Sequence, residues 1–156
     1  MATNFLYGAG TSNNGLLTSV LTLLTTELNS LASAALIISS VVGTSGLFTN
    51  SNTGQGIYAD LFFNLGAVTA MTAGGNLAVW FLTSPDGSTF ESTTVVPPRA
   101  PDAIVPLDAT TGSKVYAAKR VILPALNFKV LVQNNSGQAF TASANTLKAA
   151  IYSVQY

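Results

Sequence analysis

Ile57-Tyr58-Ala59-Asp60-Leu61-Phe62-Phe63-Asn64-Leu65 carries an apolar side chain at every odd position and Tyr, Asp, Phe and Asn at the even ones. Side chains of a strand alternate between two faces, so this period of two predicts a strand with one face in a core. The other face meets solvent or a partner, or forms a second core layer. Tyr58 and Phe62 stand on it as candidate interface aromatics.

Downstream, Ala73-Gly74-Gly75-Asn76 has turn composition and leads into Leu77–Thr83, which is apolar on both faces and holds the only Trp, Trp80. A strand covered on both sides has that pattern. Ser84-Pro85-Asp86-Gly87-Ser88 predicts a tight turn, with Phe90–Val96 as the returning strand. The prolines of Pro97-Pro98-Arg99-Ala100-Pro101 favour an extended segment, expected to cross from one sheet to the other. Ala103–Leu107 contains Pro106 and reads as an edge strand. Val115–Leu123 and Phe128–Gln133 are further strands joined through Pro124–Asn127, Asn134-Asn135-Ser136-Gly137 is a hairpin signal, and Thr146–Tyr152 closes the domain.

Upstream, Gly43–Gly56 is loop composition throughout, and the β-branched residues toward Val42 predict a strand within Leu28–Val42. Leu17, Val20, Leu24, Leu28 and Leu31 recur at steps of three and four and predict a short helix over Leu16–Thr26, against the propensity of four Thr residues. Met1–Gly15 is rich in Gly, Asn and Ser and is expected to be a flexible arm. The expected fold is therefore all-β: a β-sandwich, jelly-roll-like or immunoglobulin-like, over residues 16–156, with a short N-terminal helix and an arm over residues 1–15. No linker or internal repeat divides it.

Composition narrows the function. Charged residues are 8 % of the 156, against about 25 % in an average soluble domain. Ser, Thr, Asn and Gly supply the polarity instead. Such a surface is cheaper to bury than an ionic one, because a desolvated amide or hydroxyl that finds a partner costs less than a desolvated ion. That suits a chain covered by neighbours. With neither Cys nor His in the chain, the usual zinc ligands, Ser-His and Cys-His catalysis and the commonest general base are missing. No cofactor or metal is expected. The carboxylates Glu27, Asp60, Asp86, Glu91, Asp102 and Asp108 isolate no general acid and base pair, and Asp60, in mid-strand, is the least explained of them.

Six basic residues with no cluster larger than Lys119-Arg120 give too little for a phosphate-tracking surface, so nucleic acid is not an expected partner. Leu16–Val42 is interrupted by Glu27 and Asn29 and is not expected to span a membrane. The first basic residue is Arg99, so no secretory signal is expected, and the chain reads as made in the cytoplasm. Charge is uneven along the chain. Residues 1–98 hold four acids and no base, −4, and residues 99–156 hold six bases and two acids, +4. These halves meet either across subunits or within one sandwich of interleaved strands, and interleaving is the favoured expectation.

Several stretches resemble small virion proteins of tailed bacteriophages, of the capsid cement or decoration type. They are Leu23–Leu31, Tyr58–Leu61, Trp80–Gly87, Pro97–Asp102, Phe128–Asn135 and Ala144–Lys148, which together sample most of the chain. None is a catalytic motif. The resemblance implies a non-enzymatic β-sandwich on the capsid surface of a virion, made in a bacterial host. It would clamp the assembled major capsid protein, often as a homo-oligomer, with an extended terminus reaching a neighbour. Aromatic residues dominate interface hot spots, which makes Phe5, Tyr7, Phe48, Tyr58, Phe62 and Tyr156 the candidate anchors. Core aromatics are expected at Phe63, Trp80, Phe81 and Phe128. The alternative is a carbohydrate- or receptor-binding β-sandwich module of a phage fibre or tail, using Tyr58, Asp60, Asn64 and Trp80.

Overall fold

A computed structural model describes residues 4–7, 20–40, 46–49, 58–68, 71–91 and 94–155. The strands are β1 (Asn4–Tyr7), β2 (Val20–Leu24), β3 (Leu36–Ile38), β4 (Phe48–Thr49), β5 (Tyr58–Val68), β6 (Asn76–Ser84), β7 (Ala103–Pro106), β8 (Gly112–Ile122), β9 (Asn127–Asn135) and β10 (Thr146–Gln155). They form two antiparallel sheets. In the first, β10 lies between β5 and an edge made of β2 and β1, and β8 flanks β5. In the second, β9 lies between β6 and an edge made of β3 and β4, and β7 flanks β6. Both sheets thus pair strands from the two oppositely charged halves of the chain, as interleaving requires.

The alternation read in β5 holds. Ala59, Leu61, Phe63 and Leu65 are buried, and they join Leu77, Val79 and Phe81 of β6 and Phe128, Val130 and Val132 of β9 in one core between the sheets. Phe81 meets Phe128 edge-on at 5.3 Å, a geometry aromatic quadrupoles favour. β6 is buried on its second face as well. Ala78, Trp80, Leu82 and Leu131 form a smaller cluster outside the second sheet, with Leu36, Ile38 and Phe90 packed against it.

A strap over residues 97–102 covers that cluster. The Trp80 indole N–H donates to the Arg99 carbonyl at 3.2 Å. Arg99 Nη2 donates to the Phe81 carbonyl at 2.9 Å, and Asp102 Oδ2 accepts the Phe81 N–H at 2.7 Å. β7 pairs β6 only from Asn76 to Val79, so these two side chains satisfy the next stretch of β6 backbone in place of a strand. An unpaired edge of that kind is otherwise an invitation to aggregate. Arg99 is itself held by Asp102 at 2.9 Å and Glu91 at 3.1 Å.

Two buried amides tie the loops down. Asn134 donates to the carbonyls of Leu31, Ala32 and Gln138 and accepts from the Ser136 N–H. Asn145 accepts from the Gly66 N–H and donates to the Thr141 carbonyl and to Asn29. Among the described residues no buried side-chain nitrogen or oxygen lacks a partner, as stable interiors demand.

Several expectations change. The short N-terminal helix is absent from the described part of Leu16–Thr26: Val20–Leu24 is strand, followed by one 3-10 turn at Thr26–Leu28. Pairing with β10 overrides a weak helical period in which the Thr residues already favoured strand. Of Phe90–Val96, the described residues hold no strand. Phe90 packs on the outer cluster and Glu91 reaches Arg99 instead. The proline segment does not change sheets, because β6 and β7 are neighbours in one sheet. The chain changes sheets after β7 instead, and again between β8 and β9 and between β9 and β10, so Asn134–Gly137 closes no hairpin. Within the expected arm, Asn4–Tyr7 pairs with β10, and the rest of residues 1–15 lies outside the described residues.

Candidate interaction face

The outer face of the first sheet is built from the even positions of β5 and their cross-strand partners. Tyr58, Asp60, Phe62 and Asn64 stand opposite Tyr152, Ala150, Lys148 and Thr146 of β10. On the other side, Tyr58 pairs with Ile122, Phe62 with Ala117 and Asn64 with Val115. Val20 of β2 pairs with Ala150 and joins the same face. Val20, Val115 and Ile122 are 44, 64 and 67 % exposed, so three large apolar side chains surround two half-buried aromatics on one face. Exposed apolar side chains gathered on one face of a sheet offer surface that a partner can cover.

Asp60 organises the centre. Registers before and after it differ by one residue, so Lys119 and Arg120 bulge out opposite it. Arg120 takes the left-handed conformation at φ 56°. The bulge frees a backbone donor, and Asp60 Oδ1 accepts the Arg120 N–H at 3.0 Å and the Tyr152 hydroxyl at 3.3 Å. Its Oδ2 lies 3.2 Å from Lys119 Nζ. Burial pushes the Asp60 carboxyl up, but the Arg120 N–H, Lys119 and Tyr152 together outweigh it and hold the group below its ordinary value. The mid-strand charge that the sequence left unexplained is thus the filling of a β-bulge, a feature that strengthens local twist and re-aims side chains.

The bulge also aims two cations at aromatic rings. Lys119 Nζ lies 5.5 Å from the Phe62 ring centroid, and the Arg120 guanidinium lies 5.7 Å from that of Tyr58. Tyr58 and Tyr152 stack at 5.9 Å with a tilt of 32°. Their neighbours hold these rings in place, so little side-chain entropy remains to be lost when a partner covers them.

Asp60 stays ionised well into acid and is a poor proton donor at neutral pH. The same holds for Asp108, pulled down by Lys114, Thr110 and Tyr116, and for Asp86, pulled down by the N–H groups of Thr89 and Ser88 and by the Ser84 hydroxyl. Asp86 caps its own turn. Among the described residues no group of three or more Asp and Glu gathers to hold a metal ion.

Of the sequence-stated anchors, Tyr58 and Phe62 lie on this face. Phe48 lies elsewhere: it is 6 % exposed and packs on Phe128 at 5.6 Å in the core. Phe5 and Tyr7 are in β1, at the register positions of Val154 and Tyr152, and Tyr156 lies outside the described residues. Of the sugar-site quartet, Tyr58, Asp60 and Asn64 share the face, with Asn64 Nδ2 donating to Thr146 at 3.0 Å. Trp80 is buried in the other sheet.

Reading the sequence missed Val115, Ile122, Lys119, Arg120 and Tyr152. Strict alternation along β8 puts Val115 and Ile122 on opposite faces, and only the one-residue bulge brings them together. The Lys119-Arg120 dipeptide opposite a mid-strand Asp is the one available signal. No known protein-family model matches the chain, and no curated protein sequence matches it.

Proposed function

We propose that the chain is a non-enzymatic structural protein of a phage virion that binds and stabilises the assembled capsid, through the outer face of the first sheet. The observation that carries this reading is the face itself: exposed Val20, Val115 and Ile122 around preorganised Tyr58 and Phe62, with Asp60 already neutralised by Lys119. The partners would be the major capsid protein and further copies of the chain, and the place of action the capsid surface. Binding only the assembled lattice shifts the equilibrium against disassembly, and weak contacts repeated over a symmetric shell add by avidity. The strand order supports a jelly-roll reading of the sandwich over an immunoglobulin-like one: β2-β10-β5-β8 faces β3-β9-β6-β7. Jelly rolls serve in capsids and in lectins alike, so the fold does not choose between them.

The test is co-sedimentation with assembled phage shells and, separately, with unassembled capsid subunits. Pelleting with shells and not with subunits is the expected result. A second reading, a carbohydrate-binding module, draws on the shared face of Tyr58, Asp60 and Asn64. Failure to pellet together with a hit on a glycan array would put this reading in place of the first.

A further inference from the structure

The four sheet edges differ in how they are closed to further strands. β1 and β2 divide one edge into pieces of 4 and 5 residues, and β3 and β4 divide another into pieces of 3 and 2. β7 has 4 residues and ends at Pro106. Short strands and proline are the ordinary guards of an edge. β8 alone among the described strands offers a long edge, 11 residues paired on one side only, with β5.

Beside that edge lies a groove of about 580 Å³ between β8 and β7, lined by Asp102–Ile104 and Ala117–Ile122. Ile104 and Ile122 are 58 and 67 % exposed at its sides. A strand laid against β8 would extend the first sheet and put alternate side chains into this groove. Its backbone bonds would supply affinity and the groove would select the side chains.

Charge decides the occupant. A second copy of β8 is disfavoured, because full-length antiparallel self-pairing is centred on Ala117 and sets Lys114 opposite Arg120 twice. Directly opposed like charges destabilise a strand pair. Arg120 enters none of the four ion pairs among the described residues, and Lys119, 67 % exposed, answers only Asp60. We propose that the β8 edge takes up an extended segment of a partner protein, apolar at alternate positions and acidic where it passes Lys119 and Arg120. The proposal rests on the chain being an interaction protein, but it does not need the outer face to be the contact.

The experiment uses the full chain and two labelled peptides of about eight residues, the length of an ordinary strand. One alternates valine and threonine and ends in two glutamates. The other ends in two lysines instead. Anisotropy titration is expected to show the acidic peptide binding about tenfold or more tighter at low salt. Hydrogen exchange is expected to slow at amides within residues 112–122. Arg120→Glu, at an exposed side chain, should invert the preference, with the thermal midpoint measured alongside to confirm that the variant is folded. Equal binding of the two peptides, no binding, or protection confined to other strands would overturn the proposal. Shell pelleting by the wild-type chain together with a null peptide result would leave the capsid reading standing and remove this one.

Discussion

Asn134 holds four backbone groups from one side chain with no exposed surface. Asn134→Ala strands those groups in a dry site and should cost about 2–4 kcal/mol in urea unfolding. Asn135→Ala next to it, half-buried and bonded only to Asn76 and Gln133, should cost less than about 1 kcal/mol. The sequence shows the two as one Asn-Asn turn signal, and nothing local tells which amide points inward. Asp60 is a different case. Its oddness was legible from its place in an apolar strand, but its explanation needed the register of β8, which no single strand contains. Because its folded-state carboxyl is held below the unfolded value, its stabilisation is complete above the unfolded value of about 4. It is lost as pH falls through the lower folded value. Asp60→Asn should therefore lose less stability than wild type between pH 6 and 2. Asp86 and Asp108 act with the same sign and leave part of the acid dependence in place.

At the scale of elements, the strongest strand patterns were read correctly, the Asn134–Gly137 turn signal closed no hairpin, and the weak patterns were settled by pairing. β5 and β6 announce themselves because alternation and two-sided burial run through their whole length. Val20–Leu24 shares its leucines between a helical and a strand period, and the edge of β10 decides between them. The bulge in β8 is one extra residue, and it reverses the face of everything after it. The strap over Trp80 was legible as a break in regular structure, but not its destination, since prolines fix φ and say nothing about where the chain lands. Its latch can be tested with the sole tryptophan as reporter. Arg99→Ala removes the bonds to Phe81, Asp102 and Glu91 and should loosen the strap. Trp80 emission should then shift to the red and its acrylamide quenching rise by about twofold or more, because local opening depends on few contacts here. Unchanged quenching would mean that Pro97 and the outer cluster hold the strap without the ion pairs.

For the molecule as a whole, composition carried most of what was legible. Low charge gave the expectation of a surface covered by neighbours. The −4 and +4 halves do meet inside one chain, in Lys119–Asp60 and Arg99–Glu91. That leaves an outer face whose central carboxylate is answered and whose apolar residues are not. Which face that is could not be read from one dimension, because it is assembled from β2, β5, β8 and β10. The measurement that bears most directly on it compares wild type with the double variant Val115→Glu, Ile122→Glu in shell co-sedimentation. Both side chains are more than half exposed, so each change should leave stability within about 0.5 kcal/mol, verified by equal thermal midpoints. Wild type in the pellet and the folded variant in the supernatant is the expected result. Equal pelleting of the two would contradict the assignment of this face as the contact, and absence of both from the pellet would contradict capsid binding itself.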